Sequence, residues 1–261
     1  MRIPIYQLDA FTDRLFGGNP AAVCPLESWP ADDVLQSIAA ENNLAETAFF
    51  IPDGDNYALR WFTPTTEVDL CGHATLASAE IVLRVFRPDI QTVRFSTRKA
   101  GVLTVTRRGA SLEMDFPARP PVPARLSPDL THALGARPSE VLAARDLVAV
   151  FETQDQILAL APDMKSIAAL DTFAVIATAP GDGGVDYVAR FFAPAQGIDE
   201  DPATGSAQCS LAPYWAARLG KIRLTARQLS RRGADFTCEV AGERVRIAGQ
   251  VVLYLEGTIE V

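Results

Sequence analysis

The hydrophobic pattern of the chain changes period several times, and each change marks an element. Ile3 to Ala10 alternates loosely, Gly17-Gly18-Asn19-Pro20 signals a turn, and Ala21 to Cys24 resumes an extended run. Val34, Leu35, Ile38 and Ala39 then fall at the spacing of one buried helical face. Asp32 and Asp33 lie in that helix's first turn, where negative charge is favoured, and Asn42-Asn43 ends it. Glu46 to Ile51 and Tyr57 to Phe62 read as strands. After Gly72 the chain is apolar nearly all round, through Ala74, Leu76, Ala77, Ala79, Ile81, Val82 and Leu83. That pattern predicts a helix enclosed within its own half. Thr92 to Ser96, Gly101 to Thr106 and Ser111 to Phe116 are short strands.

Pro117 to Pro123 holds too many prolines for a helix interior or a central strand and is read as part of a linker. The order then repeats. Asp146 to Phe151 and Gln156 to Leu160 are predicted strands, Pro162 to Ala169 a short helix, and Thr172 to Thr178 a strand. Val185 to Phe192 leads into a second apolar helix, Ser206 to Leu219, in which Pro213 predicts a kink. Strands close the chain. The predicted class is α+β: two similar halves, 1–117 and 129–261, joined by a Pro-rich linker at 118–128. Each half is expected to be a curled, mostly antiparallel sheet or barrel around a buried helix, with an active site in the cleft between them. The last strand is free to return to the first half.

The division rests on a block written twice. Arg60, Pro64 and Asp69 recur as Arg190, Pro194 and Asp199, each 130 positions on. After a three-residue insertion, Gly72-His73-Ala74 stands opposite Gly205-Ser206-Ala207, 133 positions on. Both copies end on a glycine that opens a helix. A helix amino end carries unpaired N–H groups and partial positive charge, so it suits a carboxylate or phosphate. Gly72, Ala74, Gly205, Ser206 and Ala207 are therefore candidate substrate-binding positions.

Composition narrows the chemistry. A hydrophobic content of 48% and a charged content of 21% describe a soluble protein with a sizeable core. The net charge of −8 argues against a nucleic-acid surface. No run is apolar enough for a membrane span, and the first residues enter a strand pattern without a signal-peptide shape, so a cytoplasmic protein is expected. Cys24, Cys71, Cys209 and Cys238 show no close pairing. With two histidines and no metal-binding spacing, no metal site is expected. No phosphate-cradling glycine motif is present, so the predicted chemistry uses no cofactor.

Three side chains could carry catalysis. Glu46 shares a strand face with Ala48 and Phe50, where desolvation raises a carboxylate toward the range of proton transfer. The bland alternative is a strand-end glutamate in water. The matching strand of the second half has no acid within it, and Asp171 just before it is a weaker counterpart. His73 opens a helix, where imidazolium is disfavoured, so a neutral, hydrogen-bond-donating histidine is expected. Asp201 precedes Pro202 and reads equally as a turn residue. Asn19 and Ser206 read equally as caps.

Taken together these residues are specific, because the chain resembles the phenazine-biosynthesis PhzF-type isomerases, on the diaminopimelate-epimerase fold. The matching pieces run in order along most of the chain. They are Asp9-Ala-Phe-Thr with Gly18-Asn-Pro-Ala-Ala-Val23, Asn43-Leu-Ala-Glu-Thr-Ala-Phe49, Leu70-Cys-Gly-His-Ala-Thr75, and Asp201-Pro-Ala-Thr-Gly-Ser-Ala207. The resemblance implies that Glu46 shuttles a proton and that His73, Asp201 and Ser206 contact substrate. It also implies a small carboxylate metabolite as partner, no cofactor and a homodimer. Gln208 stands where close members often carry histidine, and Gln228 to Gly233 matches a glycine-rich stretch only loosely, which bears on substrate identity.

Two rivals follow from the same residues. A racemase or epimerase could use Cys71 as one base, although Thr204, at the matching position, cannot form a thiolate. A non-catalytic metabolite-binding protein is the other. Ser206 lacks the setting of a hydrolase nucleophile.

Overall fold

The computed structural model describes residues 1–261. Its strands are β1 (Arg2–Ala10), β2 (Asn19–Pro25), β3 (Glu46–Asp53), β4 (Asn56–Phe62), β5 (Glu67–Val68), β6 (Thr92–Thr97), β7 (Val102–Arg108), β8 (Ser111–Pro117), β9 (Val122–Pro123), β10 (Glu140–Ala143), β11 (Leu147–Val150), β12 (Val175–Pro180), β13 (Tyr187–Phe192), β14 (Arg223–Gln228), β15 (Ala234–Ala241), β16 (Arg244–Gly249) and β17 (Val251–Glu260). The helices are α1 (Asp32–Asn42), α2 (Gly72–Ile81), α3 (Pro128–Leu134), α4 (Gln154–Leu158), α5 (Met164–Ala168) and α6 (Gly205–Leu219). No helix is long and apolar enough to cross a membrane.

The chain forms two compact units, Met1–Asp115 with Ala248–Val261, and Phe116–Ile247. Their internal pairing is the same. In the first, β1–β2 is antiparallel, β2–β3 parallel, β3–β4 antiparallel, β4–β6 parallel and β6–β7 antiparallel. In the second, β10–β11, β11–β12, β12–β13, β13–β14 and β14–β15 repeat that alternation. The duplicated block is thus the visible remnant of a duplicated α+β unit.

In the first unit α2 packs on β1, β2, β3 and β17, and every residue of it except Gly72 and Glu80 is buried. The all-round apolar pattern is the pattern of a helix enclosed by its sheet. The opposite face of the sheet is covered by α1, whose Leu35, Ile38 and Ala39 pack with Phe49 and Phe62. β17 pairs with β1 from Arg2↔Glu260 to Ala10↔Val251, so the last strand completes the first unit.

In the second unit the outer helices α3, α4 and α5 supply Leu130, Leu134, Ile157 and Ile167 to a core with Val175, Val188 and Phe192. Gln156 to Leu160, expected as a strand, begins within α4. Thr153 caps the Gln156 amide and Gln156 reaches back to the Thr153 N–H, a capping box that starts a helix which propensity alone leaves open. The strand expected from Thr172 begins at Val175.

The Pro-rich stretch is not a free linker. Val122 and Pro123 pair with β10, and the stretch belongs to the second unit. Its Arg119 N–H donates to the Cys209 carbonyl at 2.8 Å. Pro213, four residues on in α6, cannot donate to that carbonyl. The acceptor freed by the proline is thus satisfied by the segment that was expected only to connect.

Arg60 and Arg190 have the same work in each unit. Arg60 forks onto Glu67 at 2.7 and 2.8 Å and lies 5.0 Å from the Phe62 ring centroid. Arg190 forks onto Glu200 at 2.7 and 2.9 Å and lies 5.0 Å from Phe192. Glu67 and Glu200 are 133 apart, so the three-residue insertion falls before the glutamate, and Asp69 and Asp199 are not structural equivalents.

Candidate active site

Glu46 begins β3, opposite Ala21 of β2 in the parallel register. Alternation turns Phe49 to the α1 side and Glu46 to the α2 side. There it meets the amino end of α2, where Cys71 is the N-cap, Gly72 the first helical residue and His73 the second. Glu46 Oε2 lies 3.1 Å from His73 Nε2. Cys71 Sγ lies 3.5 Å from His73 Nδ1 and 4.0 Å from Nε2. The three residues are 9%, 7% and 6% exposed, so Glu46 is not a glutamate in water.

At 3.1 Å the Glu46–His73 pair is close enough for Coulomb attraction, and no hydrogen bond of good geometry closes on the buried Oε2. A buried carboxylate oxygen with open acceptor capacity is suited to take a proton. Burial, the largest influence, pushes the Glu46 pKa up, but the His73 charge and contact, with the Cys71 thiol, outweigh it and hold the carboxyl below its usual range. Burial likewise pushes His73 down, and its partners Cys71 and Glu46 raise it well above the usual imidazole value. Both directions correct the sequence expectation of a raised carboxylate beside a neutral histidine: Glu46⁻ and His73⁺ stabilise each other. Local rules for a helix start and an apolar strand face gave the wrong sign because each ignored the other group.

In the second unit, Asp201 lies on the approach to α6. Its N–H donates to the Phe191 carbonyl at 3.0 Å, and its carboxylate accepts from the Thr204 hydroxyl. Gln228, at the end of β14 and 1% exposed, clamps this turn. Its Oε1 accepts from the Thr204 N–H at 2.8 Å, and its Nε2 donates to the Asp201 carbonyl at 2.6 Å. Gly205 opens α6, and the Ser206 hydroxyl is 3.4 Å from the Arg145 guanidinium. Ala207 is buried, as are Ala74 in α2 and Asn19 at the start of β2. Gln208 is held by the Tyr187 hydroxyl at 2.6 Å, a packing role consistent with its 1% exposure.

Register gives Glu46 its true counterpart. Thr47 pairs with Phe62, and Val175 with Phe192, which is 130 positions after Phe62. Glu46 therefore corresponds to Ala174, and the exposed Asp171 is no counterpart. Sequence reasoning missed Gln228 as a clamp and Arg145 beside Ser206, since only long-range pairing brings them there. It also foresaw no cluster of metal-binding donors, yet the fold gathers the Glu46, Cys71 and His73 donor atoms within 4.8 Å, a set able to hold an ion.

Residues 8–257 match the phenazine biosynthesis-like protein family, PhzC-PhzF. The chain belongs to the PhzF family. It is 49% identical over 259 residues to an uncharacterized isomerase of Pseudomonas aeruginosa, covering 99% of each chain. It superposes on a PhzF-family crystal structure from Enterococcus faecalis with a TM-score of 0.98 and 43% identity, covering 100% of both chains. A hydroxyproline epimerase from Agrobacterium vitis shares the fold, with a TM-score of 0.62 at 12% identity over 99% of this chain and 92% of that one. The protein is an isomerase of the PhzF family, on the epimerase-like α+β fold.

Proposed function

We propose that this PhzF-family isomerase moves a proton between two carbons of a small unsaturated or hydroxylated carboxylic acid, without a cofactor, with Glu46 as the single shuttling base. The observation that carries this reading is the buried Glu46 carboxylate, whose Oε2 lies 3.1 Å from His73 Nε2 and is closed by no hydrogen bond of good geometry. Glu46 takes a proton from an acidic C–H, the electron pair enters the conjugated system, and the proton returns to another carbon of that system. The His73 cation steadies the charge that develops, and the N–H groups at the Gly72 helix start hold the carboxylate. Asp201 and Ser206, with the helix start at Gly205, are assigned to substrate contact.

Cys71 is a poor base for the rival thiol racemisation. Burial pushes its pKa up and the Glu46 charge adds to this, so the sulfur stays protonated near neutral pH. The test is proton NMR in heavy water with a panel of small carboxylic acids, including a cyclic dihydro-hydroxy diene acid. Deuterium is expected to enter a shifted position with the wild type and with protein dialysed against a chelator. Glu46→Gln is expected to lower that rate by at least about 100-fold. A folded Glu46→Gln protein of full activity excludes the role.

A further inference from the structure

Arg145 stands in the tight turn between β10 and β11, where the Ala144 N–H donates to the Asp146 carbonyl at 3.0 Å. Register gives this turn a counterpart. Val175 matches Thr47, and their parallel partners Leu147 and Ala22 match in turn, so Ala144 corresponds to Asn19 and Arg145 to Pro20. Arg145 thus occupies, in its own unit, the strand opening that Asn19 marks in the first.

The guanidinium is held on two sides. Nε and Nη2 fork onto the Asp146 carboxylate at 3.0 and 3.3 Å, and the central carbon lies 4.2 Å from the Phe173 ring centroid. Asp146 is 2% exposed, while 36% of the Arg145 side chain is open to a ligand. The carboxylate takes the Nε–Nη2 side of the group and leaves the Nη1–Nη2 end. Nη1 has no partner in the protein, and the Ser206 hydroxyl lies 3.4 Å from Nη2, too long for a strong hydrogen bond. A guanidinium fixed on one side and open at its end is a preorganised fork for a carboxylate.

The surroundings favour negative charge. Burial pushes the Cys209 thiol, one turn after Ser206 in α6, up to about 11, and the Arg119, Arg145 and Arg244 cations pull it the other way. The Arg119 N–H also bonds the Cys209 carbonyl at 2.8 Å. Three guanidiniums act on one turn of α6, in a chain whose net charge is −8.

We propose that Arg145 is a substrate-binding residue that, with the Ser206 hydroxyl, takes a second carboxylate, so that the substrate is a small dicarboxylic acid. The proposal rests on the reading that Ser206 contacts substrate, and it narrows that reading from carboxylic acids in general to diacids.

The test pairs fumarate, glutaconate and muconate each with its monoamide, which keeps the shape and loses one charge. Binding is measured by calorimetry, and hydrogen exchange by proton NMR in heavy water. The proteins are wild type, Arg145→Lys, Arg145→Gln and a double variant that joins Arg145→Gln to Asp146→Asn. Wild type is expected to bind at least one diacid at least about tenfold more tightly than its amide. Arg145→Gln should erase that preference by weakening the diacid alone, and Arg145→Lys should keep part of it, as a point charge without the fork. The double variant strands no buried carboxylate, so it covers the case in which Arg145→Gln does not fold, and it should show the same loss. Diacid and amide weakened equally in the folded double variant means that Arg145 serves only Asp146, and overturns the proposal. A wild type that binds none of the diacids, or binds them no better than the amides, also overturns it. A preference that depends on Arg145, with no deuterium exchange in any compound, upholds the assignment and removes the proton-shuttle reading.

Discussion

Glu46 and His73 bind their charges mutually, and the sign of that coupling fixes a pH window. The Glu46 pKa is depressed in the folded protein, so its contribution to stability is present above the ordinary value of 4.5 and is lost as pH falls through the depressed one. The His73 pKa is raised, so its contribution is full below 6.5 and is lost as pH rises through the elevated value. Both hold between 4.5 and 6.5. A double-mutant cycle with Glu46→Gln and His73→Asn, followed by thermal or denaturant unfolding, should give a coupling of about 0.5–3 kcal/mol in that window. The coupling should shrink toward alkaline pH and again in strong acid; one that stays flat across the range rules out the ion pair. The three residues of this cluster were visible in the sequence as types and positions. Their charge states were not, because a pKa depends on neighbours that strand register and helix entry bring together.

At the level of elements, patterning recovered both apolar helices, α1 and the strands β2 and β3, since burial on one side or all round writes itself into composition, whereas the parallel pairing of β2 with β3 was not part of that reading. It failed where a local hydrogen-bond motif or a distant partner decided the outcome. α4 starts at the Thr153–Gln156 capping box, and Pro117 to Pro123 is held by its pairing with β10 and by the Arg119 N–H that bonds the Cys209 carbonyl of α6. Gln228 is the sharpest example: its amide, 24 positions from Thr204, bonds the turn that carries Asp201 into α6. Gln228→Leu removes the partner of the buried Thr204 N–H and should destabilise the protein by about 1–3 kcal/mol. Gln228→Glu keeps the acceptor and loses the donor, so it should release the Asp201 carbonyl while retaining the Thr204 contact. Hydrogen exchange at the Thr204 amide reads the difference directly: faster in Leu, near wild type in Glu. Equal protection in all three proteins means the clamp is not what orders the turn.

Across the whole chain, one architecture is used twice but the chemistry is not. The units share strand order, arginine–glutamate forks and a glycine-opened core helix, while Glu46, Cys71 and His73 of the first correspond to Ala174, Thr204 and Ser206 of the second. A two-base racemase needs an ionisable group in each half, and the second half holds no base at these positions. The counterparts of Glu46, Cys71 and His73 in the second unit are not bases, an asymmetry that supports the proposal of a single proton carrier. That asymmetry has an isotopic consequence. A lone carboxylate that removes a proton and redelivers it can return part of the original hydrogen to product, whereas a second base supplies hydrogen drawn from solvent. In single-turnover reactions in heavy water, on the acid identified by the exchange panel, mass spectrometry should find a fraction of product that still carries the migrating protium. That fraction should fall as the medium is changed to slow product formation, because a longer-lived intermediate lets Glu46 exchange with solvent. Product that is fully deuterated at the new position from the first turnover, under every condition, removes direct return of the original hydrogen from the single-carrier reading.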